Sequence, residues 1–270
     1  MIKRKLKSYL KQLLKFVPPA INKSIAHYTS QNVTGYRIFD LTTLKGLSHD
    51  DEYIKTYKSC LSKAEDENTD NIYKLLRHLN LYSYIEDILR REVPGDFAEC
   101  GCWNGNSLFA TKHFIDKYKS MKSLHVFDSF EGLSEFQEKD YEDNSIIVTN
   151  DQAEEKRKYF ISSYSKLIKK TNEYSRIYIN KGWIPDIFRT QNERKYCFVH
   201  IDVDLYEPTL ECHKYFFERL SNGGIIVCDD YGYSDFPGAA SAVDEFIESL
   251  PNSSYSHFIK NSVGGSILIK

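Results

Sequence analysis

The feature that most limits the fold of this chain is an alternation of two apolar patterns, which begins at residue 96. Short apolar runs predict buried strands, and apolar residues spaced three or four apart predict helices with one buried face. Strands that alternate with helices form a mostly parallel, doubly wound sheet covered on both faces. The predicted strands are 96–100, 123–128, 176–180, 196–202 and 224–229, and the predicted helices are 106–119, 152–172, 208–220 and 238–250. Two last runs, 254–260 and 265–270, are joined by a short turn that contains glycine and predict an antiparallel pair.

The first 70 residues do not follow this alternation. Residues 2–17 predict a helix with one apolar face, which Pro18-Pro19 ends. Residues 24–70 carry mixed signals and predict an irregular, partly helical segment packed on the main domain, whereas 71–91 predict a strong helix. We therefore divide the chain into an N-terminal segment, 1–70, and a main domain, 71–270.

Charge and composition exclude several classes of protein. The chain has 36 Lys and Arg against 38 Asp and Glu, so its net charge of −2 gives no reason to expect nucleic-acid binding. No apolar run reaches the roughly 20 residues that cross a bilayer. The start does not resemble a secretory signal, because lysines interrupt its apolar residues. We expect a cytoplasmic protein with reduced cysteines, and no metal–thiolate site at Cys100 and Cys102, since no second pair lies at zinc spacing.

The basic residues are concentrated at the start of the chain. Residues 1–17 carry six Lys or Arg and no acid. A cationic amphipathic helix can lie on an anionic membrane surface, which would place the protein on the inner face of the membrane. Alternatively, the apolar face packs on the protein's own core or on a partner subunit. We favour packing, because a short helix of moderate apolar content binds membranes weakly.

The turn after the first predicted strand is rich in glycine and reads E-C-G-C-W-N-G-N-S from Glu99 to Ser107. Glycines allow a tight turn and a close approach of the backbone to a ligand. The turn lacks the G-x-G-x-x-G pattern of dinucleotide-binding proteins. A carboxylate at Glu99 would repel a pyrophosphate but suits the ammonium group of a methionine moiety. An ordinary glycine-rich turn remains the alternative reading of this segment taken alone.

The second predicted strand ends at Asp128, within H-V-F-D-S-F-E-G-L. An acid at this position is placed to accept hydrogen bonds from both ribose hydroxyls of a nucleoside. A helix N-cap is the alternative role. The two turns lie about one strand–helix–strand unit apart, and together they favour a nucleoside ligand.

Four aspartates lie at the ends of the fourth and fifth predicted strands: Asp202 and Asp204 at one, and Asp229 and Asp230 at the next. These strands commonly neighbour each other, at a spacing of roughly 4.8 Å, so Asp202 and Asp229 should lie side by side. Carboxylates this close repel one another unless a hard divalent cation such as Mg²⁺ lies between them. Helix caps or lysine pairs are the alternative roles. On a continuing strand, Asp202 and Asp204 would share one face.

These motifs, in this order, resemble the metal-dependent sugar O-methyltransferases typified by macrocin O-methyltransferase. The resemblance covers residues 71–250 and rests on G-D-F-A-E-C-G-C-W, F-D-S-F-E-G-L, Gly182-Trp183, D-V-D-L-Y, the segment from Gly223-Gly224 to D-D-Y-G, and A-V-D-E-F. It implies a class I methyltransferase (Rossmann-like) fold with a seven-stranded sheet, an antiparallel C-terminal strand and an N-terminal helical lid. It is also compatible with a homodimer.

The resemblance also implies roles for individual residues. Asp204 becomes the candidate general base, and Asp202 acts beside it in catalysis. The implied metal ligands are Asp202, Asp229 and Asp230. The implied contacts to S-adenosylmethionine are Glu99, Gly101, Trp103, Asp128, Ser129, Gly182, Trp183 and Asp202.

The predicted function is therefore transfer of a methyl group from S-adenosylmethionine, with Mg²⁺ or a similar cation, to a hydroxyl of a sugar-containing small molecule or glycan. One alternative keeps the fold but uses a phenolic, catechol-like acceptor, with Tyr206, Tyr231, Tyr233 and Phe236 lining its pocket. An NAD-dependent oxidoreductase is disfavoured by Glu99 and the missing third glycine. A protein that binds the nucleotide without catalysing a reaction is the remaining alternative.

Overall fold

The computed structural model describes residues 36–43, 51–141 and 150–270. The predicted helix over 2–17 lies outside the described residues. Arg37–Lys270 forms one compact unit, which contains the whole sheet. No helix in these described ranges is long and apolar enough to cross a membrane.

Among the described residues, two α-helices precede the sheet. Helix α1 spans Glu52–Ala64 and begins where the Asp51 side chain accepts a hydrogen bond from the amide of Tyr53 at 2.9 Å. Helix α2 spans Ile72–Arg90, and the Asn71 side chain caps it by accepting from two amides of its first turn. These side-chain caps satisfy amides that have no partner within the helix. The predicted helix over 71–91 is thereby confirmed, and part of the irregular segment is helical as expected.

The sheet has seven strands in the described part of the chain, in the order β3-β2-β1-β4-β5-β7-β6. The strands are β1 Asp96–Cys100, β2 Leu124–Asp128, β3 Ile177–Lys181, β4 Tyr196–Ile201, β5 Leu220–Cys228, β6 His257–Lys260 and β7 Ser266–Ile269. The first five are parallel to their neighbours, and β7 runs antiparallel to both β5 and β6. The predicted doubly wound sheet with an antiparallel C-terminal strand is therefore confirmed.

Five further helices connect or flank the strands in the described ranges: α3 Asn106–Lys117, α4 Asn150–Tyr159, α5 Tyr164–Thr171, α6 Tyr206–Arg219 and α7 Pro237–Ser249. The prediction of one helix over 152–172 is wrong, because non-helical residues separate α4 from α5. Ile161 forms a bridge with Glu131 at this break, and Ser163 caps the new helix by accepting from the amide of Lys166. A tertiary contact and a capping side chain thus override the continuous helical pattern.

The largest described cluster of the core lies between the central strands and the helices α6 and α7. Val199, Ile201 and Ile226 of the sheet pack there with Phe216 and Phe246, all at most 6% exposed. Because β1, β2, β4 and β5 are parallel, the turns that follow them meet at one edge of the sheet. In sheets of this kind, ligands bind at that edge.

Candidate active site

A pocket lies at the carboxyl ends of the parallel strands. Its volume is about 720 Å³, including the space at its open mouth. Most of the residues predicted to contact cofactor or substrate line it: Gly101, Trp103, Asp128, Ser129, Gly182, Trp183, Asp202 and Asp204. The sequence did not identify several other lining residues, among them Leu133, Ser134, Phe160 and Pro208.

Asp128 links the turns after β1 and β2. Its Oδ2 accepts hydrogen bonds from the amides of Cys102 at 2.8 Å and Trp103 at 3.0 Å, and its Oδ1 accepts from the amide of Phe130 at 2.6 Å. Its backbone carbonyl accepts from the amide of Gly182, which brings the loop after β3 alongside. No described helix begins at Asp128, so the alternative role of helix N-cap does not apply.

Gly101 is required by the close approach of the first turn to the end of β4. Its φ is +77°, and a Cβ atom there would lie 1.8 Å from the carbonyl oxygen of Asp202. The amide of Asp202 in turn donates to the carbonyl of Cys100 at 2.9 Å. The glycine-rich turn and the end of β4 are therefore in direct contact.

Glu99 is 1% exposed and, unlike the other predicted cofactor contacts, does not line the pocket. Ser107 Oγ donates to one of its oxygens, while Oε2 has no hydrogen-bond partner in the described part of the chain. His200 Nδ1 is 3.6 Å from Glu99 Oε1, which is longer than a hydrogen bond but close enough for an ion-pair contact. The structure thus leaves an oxygen of a buried carboxylate available beside the glycine-rich turn.

Asp202 and Asp229 lie side by side, as the sequence predicted. Ile201 pairs with Cys228 in the parallel ladder, and the amide of Asp229 donates to the carbonyl of Ile201 at 2.8 Å. One possible ligand atom from each of His200, Asp202 and Asp229 lies within 4.8 Å of the others. Asp230 does not belong to that group.

Asp204 lines the pocket, but a turn and not a continuing strand places it there. β4 ends at Ile201, and Asp204 has a φ of +62°, so strand alternation does not place it beside Asp202. The argument that a continuing strand puts both residues on one face is therefore wrong. Instead, the Asp204 amide donates to Asp230 Oδ2 at 2.9 Å, which holds the turn in place. The side chains of Asp202 and Asp204 nevertheless line the same pocket.

The electrostatics of this cluster follow from buried charges in close proximity. Burial and the neighbouring Asp229 raise the pKa of Asp202 to about 6. Burial and nearby carboxylates also raise the pKa values of Asp204 and Asp230. Burial by itself would raise the pKa of Asp229, but the charges of Arg77, His200, His78 and Lys74 together outweigh it and lower that pKa. The four carboxylates therefore outnumber the positive charges beside them.

His200 is the second cationic group near the cluster. Burial by itself would lower its pKa, but the charges of Glu99 and Asp202 raise the pKa of His200 to about 9. Neither ring nitrogen has a hydrogen-bond partner among the described residues.

This arrangement fits a hard divalent cation. Oxygen donors with few hydrogen-bond partners converge at the edge of the sheet, and Mg²⁺ prefers such carboxylates together with water and substrate oxygens. Asp229 Oδ1 and Asp230 Oδ1 make no hydrogen bond within the described ranges, and neither does the Asp202 carboxylate. These three aspartates are the predicted ligand set.

Two residues near the cluster were not identified from the sequence. His200 could have been found, because strand alternation places it on the same face as Asp202. Arg77 gave a weaker signal, as a single basic residue in the stretch L-L-R-H-L of a buried helix. Its nearest charged neighbour, Asp229, is 152 residues away in the sequence, so only the fold could show the pair.

The aromatic residues proposed for a phenol pocket lie elsewhere. The Tyr206 hydroxyl donates to Glu245 at 2.6 Å, and the Tyr231 hydroxyl donates to Asp244 at 2.8 Å. Neither residue lines the pocket, and neither do Tyr233 and Phe236. The aromatic rings that do line it include Trp103 and Phe160, whose centroids are 5.7 Å apart.

Comparisons with known proteins agree with this geometry. The family model described as Macrocin-O-methyltransferase (TylF) matches residues 73–251. Demethyldecarbamoylnovobiocin O-methyltransferase of Streptomyces niveus is 27% identical over 189 residues, covering 66% of this chain and 68% of the relative. The 8-demethyl-8-(2,3-dimethoxy-alpha-L-rhamnosyl)-tetracenomycin-C 4'-O-methyltransferase of Streptomyces olivaceus is 27% identical over 162 residues, covering 56% and 59%. The structure of the O-methyltransferase NovP has a TM-score of 0.64 at 19% identity and covers 82% of this chain and 99% of its own, which shows a shared fold.

Proposed function

Because the chain belongs to the macrocin O-methyltransferase family, we propose that it transfers a methyl group from S-adenosylmethionine to a hydroxyl of a sugar-containing acceptor. The observation that carries this proposal is one pocket that joins Asp128 and the glycine-rich turn to Asp202 and Asp204. A nucleoside-binding turn and acidic residues in one pocket suit a methyl donor and a hydroxyl acceptor. The relative from Streptomyces olivaceus is named for a substrate that carries a rhamnosyl group.

The nucleoside end of the pocket suits S-adenosylmethionine. Asp128 is fixed by three backbone amides, and Oδ1, which accepts from one of them, has a further lone pair to accept from a ribose hydroxyl. Gly101 lets the backbone come close to a ligand, and Glu99 keeps an unpartnered oxygen beside it for an ammonium group. When bound, S-adenosylmethionine supplies a methyl group whose bond to sulfur breaks as the acceptor oxygen attacks.

Asp202, Asp229 and Asp230 are proposed to hold Mg²⁺ or a similar cation. Such a cation would lower the pKa of an acceptor hydroxyl and offset the repulsion among the aspartates. Asp202 also lines the pocket, so it would act at the boundary between the metal and the acceptor.

Asp204 is proposed to act as the general base. It lines the pocket, is 7% exposed, and is held by the hydrogen bond from its amide to Asp230. From this position, its carboxylate would take the proton that the acceptor hydroxyl releases, while burial keeps competing water away. Positioning of acceptor and donor in one pocket supplies much of the remaining rate enhancement.

Part of the pocket lining is apolar and aromatic. Trp103 and Phe160 line it together with Leu133, and Tyr159, whose centroid is 5.6 Å from that of Trp103, extends this surface outward. Flat aromatic surfaces suit the apolar faces of sugar rings and attached apolar groups. No observation favours a phenolic acceptor, because the tyrosines proposed for its pocket have hydroxyls bound elsewhere or lie outside the lining.

The proposal is tested by methyl transfer from labelled S-adenosylmethionine into an extract of the cells that make the protein. We expect the label in a glycosylated molecule, loss of transfer with a chelator, and recovery with Mg²⁺. Label in a molecule without a sugar would contradict the acceptor class, and full activity in chelator would contradict the metal role.

The base is tested with Asp204→Asn, for which we expect turnover to fall by roughly 10²- to 10⁴-fold. Binding of S-adenosylhomocysteine, measured by calorimetry, should be unchanged. Asp235→Asn is the matched control, because Asp235 is exposed and does not line the pocket. If Asp204→Asn changes the KM for the acceptor but leaves kcat unchanged, Asp204 only positions the substrate.

A further inference from the structure

One face of α2 is turned toward the acidic cluster. Lys74, Arg77 and His78 are three and four residues apart, so they share a face of the helix. Arg77 Nη1 lies 2.9 Å from Asp229 Oδ2 and also donates to the backbone carbonyl of Asp229 at 3.4 Å. The guanidinium carbon of Arg77 is 5.6 Å from the ring centroid of Tyr233. Contacts on several sides thus hold this side chain, which is 19% exposed, against the end of β5.

The position of Arg77 matters because the cluster carries an excess of negative charge. Asp204, Asp229 and Asp230 are each at most 8% exposed, and Asp202 is next to them. Buried like charges at these separations repel strongly, and burial leaves little water to screen them. His200 lies near Glu99 as well as the cluster, so its positive charge offsets the charge of Glu99 in addition to those of the aspartates. Among the described residues, Arg77 is therefore the cation that forms an ion pair with one of the four aspartates.

We propose that Arg77 is a positioning residue that holds Asp229 and serves as the resident counter-cation of the acidic cluster, in competition with the divalent cation. The competition rests on the metal site of the proposed function. One oxygen of Asp229 lies 2.9 Å from Arg77, so a cation that bound through this oxygen would share it with the guanidinium or displace that group. The guanidinium charge also repels a second cation nearby. Arg77 thus stabilises the metal-free protein and weakens metal binding.

Arg77→Met removes the charge and keeps a long, unbranched side chain. The matched control is Arg91→Met. Arg91 directly follows the same helix, and its Nε lies 2.8 Å from an oxygen of Asp87, four residues earlier in the chain. That pair lies at the other end of α2, away from the acidic cluster. Effects that Arg77→Met shows and Arg91→Met does not are specific to the cluster.

The first experiment measures thermal unfolding in a chelator for Arg77→Met, Asp229→Asn and the double variant. If Arg77 offsets the charge of Asp229, Arg77→Met lowers the melting temperature and Asp229→Asn in the same chain restores part of the loss. Asp229→Asn should not restore any loss caused by Arg91→Met. Strictly additive effects of Arg77→Met and Asp229→Asn would overturn the pairing role.

The second experiment measures binding of Mg²⁺ alone by calorimetry. We expect Arg77→Met to bind Mg²⁺ roughly tenfold more tightly than the wild type, and Arg91→Met to match the wild type. A residue with only a structural role would not raise metal affinity, so equal or weaker binding by Arg77→Met overturns the competition.

The two proposals fail in distinguishable ways. If neither the wild type nor Arg77→Met binds Mg²⁺, the metal part of the proposed function and the competition both fail. The melting temperatures of the two single variants and the double variant still decide whether Arg77 pairs with Asp229 as proposed. Binding by Arg77→Met alone would support the competition, because it shows that Arg77 keeps the cation out.

Discussion

Single residues at the strand ends decide whether the pocket can form. Gly101 and Asp202 come from different strands, yet the backbone of one touches the carbonyl of the other. Any side chain at residue 101 would push apart the two turns that present the cofactor and acceptor ends of the pocket. The same contact explains why residue 101 tolerates no Cβ, independently of any ligand.

Gly101→Ala should therefore destabilise the protein by far more than the cost of placing alanine at a positive φ. Gly232 is the matched control, since it has the same φ of +77° but open space around its Cβ position. We expect Gly232→Ala to cost about 1 kcal/mol from the left-handed backbone alone. Gly101→Ala should cost at least about 3 kcal/mol, because backbone atoms must move. Urea unfolding measures both, and equal losses would show that the turn adapts without strain.

The sequence correctly predicted the positions of residues that stand directly at the end of a strand. Asp128, Asp202 and Asp229 were placed correctly because parallel strands end at one edge of the sheet. Asp204 could not be placed the same way, because its left-handed backbone and its bond to Asp230 are tertiary features. Arg77 lay beyond such reasoning, since its partner is distant in sequence.

At the scale of elements, strands were easier to predict than helix ends. The predicted strands agree with the structure within one residue at most ends, because short apolar runs have few alternative positions in a buried sheet. The starts of two strands are exceptions. β5 begins at Leu220, four residues before the predicted start, with an irregular register between the pairs at Tyr196 and Phe198, and β6 begins at His257, three residues after the predicted start. The break between α4 and α5 was also missed, and it places Phe160 in the pocket wall.

Helix α6 carries a pH-sensitive contact in its interior. His213 is 2% exposed, and its Nδ1 donates to the carbonyl of Thr209 at 2.8 Å, with its ring 5.4 Å from that of Phe246. Burial lowers the pKa of His213 to about 4, so the ring is neutral in the folded protein at neutral pH. In the unfolded chain the pKa is near 6.5, and the unfolded state therefore takes up this proton first as pH falls.

The stability contributed by neutral His213 is complete above about pH 6.5 and is lost as pH falls toward 4. Over that window we expect a loss of about 3 kcal/mol. His213→Gln removes the titrating group and keeps a donor for Thr209. The free energy of unfolding of this variant, measured by urea unfolding at several pH values, should fall less steeply with acid than that of the wild type. Parallel pH profiles would show that His213 becomes protonated without opening the core.

At the scale of the whole molecule, the parallel sheet explains why function could be inferred from strand ends. Turns that are far apart in sequence converge at one edge, so chemistry-bearing residues after several strands become neighbours. The region before β1 has no such rule, and only the structure shows how it contributes. There, Phe39 exchanges two hydrogen bonds with the Asn80 side chain, at 2.7 and 3.0 Å.

Helix α1 is also built into the core. Its residues Tyr53 and Tyr57 are at most 3% exposed, and their hydroxyls donate to Glu86 and Asp70. The Tyr53 ring also meets Phe114 of α3 edge to face, with centroids 5.7 Å apart. A fragment that begins at residue 71 would lose these contacts, although the sequence placed a domain boundary there.

We therefore expect the fragment 37–270 to fold and the fragment 71–270 to fail. The first keeps the whole compact unit, including α1 and Phe39. The second leaves the apolar faces of α2 and α3 uncovered, and each large side chain removed costs roughly 2–3 kcal/mol of burial, a substantial part of the stability of a domain. Thermal unfolding followed by circular dichroism should show one cooperative transition for 37–270 and none for 71–270, and light scattering reports whether 37–270 has lost a dimer contact. A cooperative transition in 71–270 would show that α1 is an appendage, and loss of folding in 37–270 would show that the first 36 residues complete the core.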